Sequence, residues 1–210
     1  MAELITGIDP ARVRENLERV REAGGPELEI LAATKYVPTD EMGALVEGGV
    51  ELVGENRLQD LESKRDLHGD AFTWDFIGNL QSRKLKRILP LVRLIHSVAT
   101  DSVLEQLGRH AEPGTEVLVE VNLSGEESKA GVPPDQLGSF IERCPVAVAG
   151  LMTMPPFTDD PGRSRPYFAR LAELASEHGL TRLSMGTSQD WQVAVEEGAT
   201  IVRLGTSLFR

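Results

Sequence analysis

The feature that most constrains this chain is a change of hydrophobic period that recurs along its whole length. Short apolar runs, suited to strands buried on both faces of a parallel sheet, alternate with stretches whose apolar residues repeat at helical spacing. The runs lie at 28–35, 51–56, 73–79, 94–98, 116–122, 148–153, 182–186 and 200–206. Helical stretches fall between them, the clearest at 39–48, 101–111, 134–143 and 161–178. Lys35 and Arg203, near the ends of the first and last runs, are separated by seven units of about 24 residues each, the spacing of a closed eight-stranded α/β barrel. An extra helix precedes the first strand: Asp9 caps it, Pro10 suits its first turn, Val13, Leu17 and Val20 share a face, and Gly24-Gly25-Pro26 stops it. The expectation is a single (β/α)8 TIM barrel with an extra N-terminal helix, residues 1–210 forming one domain. An open doubly wound sheet is the alternative, disfavoured by even spacing and by the lack of a glycine-rich fingerprint after the first strand.

Composition narrows the function classes. With 33 acidic against 22 basic residues, the net charge is −11, the wrong field for recruiting nucleic acid or an anionic membrane. The basic run at 82–87 lacks interleaved aromatics and suits a solvated helix face. The single cysteine, Cys144, excludes an internal disulfide and a cysteine-rich zinc site, and the four histidines show no metal-ligand spacing. The start of the chain carries no secretory pattern, and no apolar run reaches membrane length. A cytoplasmic protein with no nucleic-acid or membrane partner is expected.

In a barrel the chemistry collects at the C-terminal ends of the strands. Lys35 ends an apolar run, whereas the other four lysines sit in polar contexts. An ammonium held there loses hydration, which favours the neutral amine, a nucleophile toward carbonyls; snorkelling or a plain ion pair is the alternative. The segments Ser184-Met185-Gly186-Thr187-Ser188 and Gly205-Thr206-Ser207 follow the seventh and eighth strands, where barrels recurrently bind phosphate. Small residues let backbone amides approach an anion, hydroxyls add donors, and a helix starting near Gln189 would aim its positive end at the same point. Arg203 shares strand parity with Ile201 and Gly205 and points inward, to a ligand or to an ion pair with Glu120.

These residues, with Ala33-Thr34-Lys35, Val53-Gly54-Glu55-Asn56, Phe76-Ile77-Gly78, Ile95-His96-Ser97, Val121-Asn122, Ser128-Lys129-Ala130-Gly131, Gly150-Leu151-Met152-Thr153-Met154 and Leu183-Ser184-Met185-Gly186, give the chain its resemblance. It resembles the pyridoxal phosphate homeostasis proteins, relatives of the N-terminal barrel of alanine racemase. The resemblance implies a pyridoxal phosphate fold type III barrel without the second, β domain. It implies that Lys35 holds pyridoxal 5′-phosphate as a Schiff base, that Ser184, Gly186, Ser188, Gly205 and Thr206 hold its phosphate, that Arg203 faces the pyridine nitrogen, and that Asn56 lies nearby. The chain departs from the family pattern at Asp75, where a histidine is usual, at Arg83, where an asparagine is common, and at Thr187, where a methionine is common. Its tail after Phe209 leaves room for only a short last helix.

The implied role is a non-catalytic carrier that sequesters and supplies the cofactor within the cell. Its partners would be pyridoxal 5′-phosphate and pyridoxal phosphate-dependent apo-enzymes, and it would act as a monomer. A small amino-acid racemase is the alternative. It needs acid/base groups on both faces of the substrate carbon, and the only tyrosines are Tyr36, of opposite strand parity to Lys35, and Tyr167. A Schiff-base aldolase would fit Lys35 and the phosphate loops but not the other motifs.

Overall fold

The computed structural model describes residues 3–126 and 129–210, so Ser128 of the quoted motifs lies outside the described residues. Helix α1 (Pro10–Gly24) leads into strand β1 (Glu29–Ala33), and the Asp9 carboxylate accepts from the Ala11 amide at 2.9 Å, as its cap position requires. There follow α2 (Met42–Glu47), β2 (Leu52–Glu55), α3 (Leu58–His68), β3 (Thr73–Phe76), α4 (Leu85–Ile88), β4 (Leu94–Val98), α5 (Asp101–His110) and β5 (Glu116–Glu120). The chain continues through α6 (Leu137–Arg143), β6 (Ala147–Met152), α7 (Arg165–Glu177), β7 (Arg182–Thr187), α8 (Trp191–Glu196), β8 (Ile201–Leu204) and α9 (Thr206–Phe209). The eight strands are parallel and pair in chain order, and β8 closes on β1. This closure excludes the open sheet.

Several strands end before the apolar runs do. β1 stops at Ala33 rather than Lys35, β3 at Phe76 rather than Asn79, and β5 at Glu120 rather than Asn122. Past those points the chain turns over the barrel mouth, so strand parity no longer decides where a side chain points.

Burial on two sides explains the continuous apolar runs. One residue from each of six strands, Leu31, Leu52, Leu94, Leu118, Met152 and Ile201, fills the barrel interior. Their neighbours, including Ala32, Val53, Trp74, Ile95, Val117 and Val202, face outward and join the larger core beneath the helices. Level with the interior apolar side chains in the strand register stand polar ones, Asp75, His96, Glu120, Ser184 and Arg203, all of them buried.

α1 packs beside the four-residue α9. The buried Asn16 side chain donates to the backbone carbonyls of Leu208, at 3.1 Å, and Arg210. Residues before α1 cross the rim, where Ile5 N–H donates to Tyr36 C=O at 2.8 Å and Glu41 accepts from the amides of Gly7 and Ile8. No helix among the described residues is long and apolar enough to cross a membrane.

Gly150 on β6 is fixed by close packing of β6 on β7, since a Cβ there would lie 1.9 Å from the Arg182 carbonyl oxygen. Backbone cannot yield as a flexible side chain can. Gly150→Ala is expected to lower stability by about 1–3 kcal/mol in urea unfolding; an unchanged midpoint would contradict this packing.

Candidate functional site

A cavity of 840 Å³ opens at the C-terminal ends of the strands, within the range of about 300–1,000 Å³ usual for small-molecule sites. Lys35, Tyr36 and Asn56 line one side, from the turns after β1 and β2. Thr187, Ser188 and Gln189 after β7, with Gly205, Thr206 and Ser207 after β8, line another. Ala33, Ile77 and Arg203 also line it, as do Gly78 and Asn79 after β3 and Ile5, Met154 and Phe157.

The seventh and eighth loops are tied together by one hydroxyl. Ser188 Oγ accepts from the amides of Gly205, at 3.0 Å, and Ser207, at 3.3 Å. Asp190 shapes the seventh loop, accepting from both the amide and the hydroxyl of Thr187 through Oδ1 and from the Ser164 hydroxyl through Oδ2. That carboxylate precedes a six-residue α8 that begins at Trp191, so the expected helix end at Gln189 does not contribute; the Thr187, Gly205 and Ser207 amides are taken by Asp190 and Ser188, which leaves the Ser188, Thr206 and Ser207 hydroxyls and the other loop amides as donors. A Cβ on Gly205 would meet only Ala33 O at 3.7 Å and Ser188 Oγ at 3.9 Å, ordinary contacts. The fold would tolerate a side chain there, and the lack of one keeps the cradle open. Ser207 Oγ is buried and has no hydrogen-bond partner among the described residues, although Ser207 lines the cavity.

Ser184 and Gly186 do not line the cavity. Gly186 has φ +88° and its Cβ position lies 2.6 Å from Ala194 Cβ, so a glycine is needed there for backbone conformation and for packing on α8. Ser184 is fully buried behind Arg203. Arg203 donates through Nη1 to Ser184 O (2.7 Å) and Ser184 Oγ (2.6 Å), and through Nη2 to Thr153 O (2.9 Å) and Met154 Sδ (2.8 Å). No carboxylate is among those partners, so the ion pair with Glu120 is replaced by carbonyl and hydroxyl acceptors. Burial pulls the Arg203 guanidinium down to about 10, against the fields of Glu120 and Asp190, and leaves it charged at neutral pH. Burial raises the Glu120 carboxyl, and Arg203 partly offsets it.

Lys35 is exposed rather than buried, because β1 ends two residues before it; the dehydrated ammonium expected at a strand end is corrected accordingly. Its Nζ lies 5.1 Å from the Tyr36 ring centroid, a cation–π contact. Tyr36 thus reaches the cavity despite its parity, again because the strand has ended. The buried lysine is Lys64 on α3, whose Nζ donates to Thr34 O at 2.7 Å and pairs with Glu55. Glu55 Oε1 also accepts from Thr34 Oγ1 at 2.6 Å, fixing the backbone beside Lys35.

Residues 8–210 match the family described as alanine racemase, N-terminal domain. A pyridoxal phosphate homeostasis protein of Aquifex aeolicus is 39% identical over 216 residues, covering 95% of each chain. The chain belongs to this family. A second relative of that name, from Deinococcus radiodurans, is 36% identical and covers 95% of this chain and 96% of its own. PipY of Synechococcus elongatus, solved both without pyridoxal phosphate and with it bound, superposes with a TM-score of 0.82 at 32% identity, covering 94% of this chain and all of that one. Alanine racemase of Corynebacterium glutamicum, at 16% identity and a TM-score of 0.75, shares the barrel fold and extends beyond it, with 63% of its chain covered.

Family motifs do not announce every residue of the site. Ser207 adjoins the Gly205-Thr206 pair and was within reach of the same loop argument. His96 stood in the Ile95-His96-Ser97 motif without an assigned role, and Asp75 was out of reach, since a charge midway along an apolar strand carries no sign of which polar partner awaits it. His96 and Asp75 share a hydrogen bond (Nε2 to Oδ2, 3.1 Å), and Arg93 grips Asp75 through two nitrogens. Burial pushes the Asp75 carboxyl up, but its bonds to His96 and Arg93 outweigh this and hold it below the usual carboxylate range. Burial lowers His96, overcoming Asp75, with Arg203 and Arg93 adding to the decrease.

The sign of the pH effect follows. The unfolded chain takes up a proton on His96 near pH 6.5 that the folded barrel refuses, so stability falls below about pH 6.5, by at most about 1.4 kcal/mol per pH unit for that proton. Asp75 adds a second loss below about pH 4, while the raised Glu120 acts in the opposite sense. Urea unfolding at about pH 7.5 and 5.5 should show a loss in the wild type that His96→Gln lacks; parallel losses would rule out a neutral His96 as the cause.

Proposed function

We propose that this chain binds pyridoxal 5′-phosphate and serves its homeostasis inside the cell, holding a reactive aldehyde and releasing it to pyridoxal phosphate-dependent apo-enzymes. The observation that carries the reading is one cavity containing a primary amine, a two-loop hydroxyl and amide cradle, and a buried guanidinium. The cradle fits a phosphate on its own chemistry: Ser207 Oγ is buried without a partner among the described residues, and Gly205 leaves open the volume a Cβ would fill. The cofactor, when bound, supplies an aldehyde for an amine and a ring that draws electrons.

Lys35 supplies the amine, from an exposed position on the rim. Ser188, Gly205, Thr206 and Ser207 bind the phosphate, and Ser184 and Gly186 support that arrangement from behind, Ser184 through Arg203 and Gly186 through the backbone at α8. Asn56 orients the cofactor on the side of Lys35. Against a net charge of −11, such a local set of amides and hydroxyls is what lets a phosphate dwell here. Arg203 presents its guanidinium to the pyridine nitrogen; its Nε–H takes part in none of the four bonds to the protein. A charged arginine keeps that nitrogen unprotonated, which weakens the ring as an electron sink and favours holding over transformation.

The carrier reading takes the protein to be non-catalytic, cytoplasmic and monomeric, with residues 1–210 acting as one cofactor-binding unit. Racemase activity is the second reading, favoured by Tyr36 in the cavity wall beside Lys35. Two adjacent residues on one side of a cavity do not supply acid and base to opposite faces of a substrate carbon, which favours the carrier.

Protein equilibrated with pyridoxal 5′-phosphate is expected to gain a visible absorbance band, and borohydride followed by peptide mapping should label Lys35. A colourless, unlabelled protein would sink the reading. Ser207→Ala should keep the label but weaken retention by about fivefold, the value of one hydrogen bond of roughly 1 kcal/mol. Incubation of the loaded protein with L- and D-amino acids in deuterated water should give no sustained exchange of the α-proton; turnover on any of them would overturn the non-catalytic reading, and exchange with inversion would establish the racemase.

A further inference from the structure

A line of buried polar groups runs through the barrel interior from its lower end to the cavity floor. At the bottom Arg93 donates Nε to Asp75 Oδ1 at 3.1 Å and Nη2 to Asp75 Oδ2 at 2.7 Å, and pairs with Glu29. Asp75 meets His96 Nε2, His96 Nδ1 lies 2.8 Å from Ser184 Oγ, and Ser184 Oγ lies 2.6 Å from Arg203 Nη1. Asp75, His96 and Ser184 are fully buried, contributed by β3, β4 and β7.

The direction of every bond in this line can be assigned. A carboxylate held by two nitrogens of one arginine is an acceptor only, so the proton of His96 sits on Nε2. Arginine cannot accept, so Ser184 Oγ takes the bond from Arg203. Ser184 has one proton to give, and the remaining acceptor beside it is the unprotonated Nδ1 of a neutral His96. The line is therefore polarised throughout: Arg93 and His96 donate to Asp75, Ser184 donates to His96, and Arg203 donates to Ser184.

We propose that Asp75 and His96 are positioning residues for Arg203: Asp75 fixes the His96 tautomer, the tautomer fixes the Ser184 hydroxyl, and the hydroxyl presents a lone pair that holds the guanidinium under the bound cofactor's ring. This rests on the reading that Arg203 faces that ring. Neither Asp75 nor His96 lines the cavity, so both act only through the line. Exchanging Asp75 for asparagine would reverse its polarity. The amide carbonyl would accept from Arg93, its NH2 would face Nε2, and His96 would carry its proton on Nδ1. Ser184 Oγ would then accept from His96 and Arg203 together, leaving its own proton without a partner.

The experiment has a part that needs no cofactor. Ring nitrogen-15 NMR of the cofactor-free wild type should give His96 protonated on Nε2 and bare on Nδ1, with Asp75→Asn reversing the two. Removing the hydroxyl in Ser184→Ala should keep the wild-type tautomer and alter the Arg203 side-chain signals, since its anchor is gone. In the loaded protein both variants should release pyridoxal 5′-phosphate about tenfold more readily and move the visible band, a change that loss of stability alone would not produce. Glu62→Gln, in the surface pair with Arg87, should change neither. A wild-type His96 protonated on Nδ1, or two folded variants whose retention stays within about twofold and whose band is unmoved, would overturn the proposal. If Asp75→Asn does not fold, the wild-type tautomer and Ser184→Ala decide it. A wild type that forms no visible band would count against the proposed function, while the His96 and Arg203 signals would still decide the positioning.

Discussion

The register with which β8 meets β1 is the constraint on which the rest depends. Leu31 pairs with Arg203 and Ala32 with Leu204, so the turn that follows Ala33 and the turn that follows Leu204 emerge side by side at the same height. Lys35 and the Gly205-Thr206-Ser207 segment, at opposite ends of the sequence, thereby become neighbours in the lining of one cavity. A shift of one residue would also turn Arg203 out of the barrel and Leu204 into it, exchanging a core residue for a charge. Closure and site assembly are therefore a single event. Asn16 reinforces it from outside by binding the carbonyls at the end of α9.

Inside the barrel, apolar and polar side chains share the same heights: Leu31 is paired with Arg203, Met152 with both Glu120 and Ser184, and Leu94 with Asp75. The leucine, isoleucine and methionine side chains make much of this interior apolar, and in that setting a lone charge would be too costly to keep. The polar groups persist because they satisfy one another: Asp75 is paired to Arg93 at the barrel base, His96 is neutral, and Arg203 is held by carbonyls and a hydroxyl rather than a carboxylate. That last choice matters chemically. A guanidinium neutralised by Glu120 would present little field to a ligand, whereas one held by dipoles retains its charge where the cavity can use it.

The sequence made the fold legible because a barrel strand is buried on both sides, and few folds besides a closed barrel need continuous apolar runs at such even spacing. Only the runs' ends misled, since nothing in Thr34-Lys35 or Ile77-Gly78-Asn79 marks that the chain has begun to turn. α3 stayed hidden for a different reason: its buried face is Leu58, Leu61 and Lys64, and a lysine paired to Glu55 breaks the apolar stripe that a helical pattern needs. The cavity residues Lys35, Asn56, Ser188, Arg203, Gly205 and Thr206 were accessible because barrel geometry says which strand ends to examine. Ser184 and Gly186 belonged to the same motif, yet one serves Arg203 and the other serves packing, a division no linear pattern carries. Asp75 could be seen only as a departure from the family; its meaning lies in Arg93, His96 and Ser184, each on a different strand or loop.

The contrast between Lys35 and Arg203 gives the proposed carrier its physical logic. Lys35 is exposed at the rim and has no ion pair among the described residues, so a link made through it stands at the mouth of the barrel rather than in its core. Arg203 is buried and fixed by four bonds. A covalent link that is accessible is reversible on demand, and a rigid floor with a two-loop cradle supplies the affinity that keeps the ligand in place meanwhile. An enzyme of this fold would need the opposite emphasis, with the reacting amine shielded from water and paired with a second acid/base group across the substrate. Exposure of the lysine, the feature on which the strand-end expectation failed, is thus the one most consistent with storage and release.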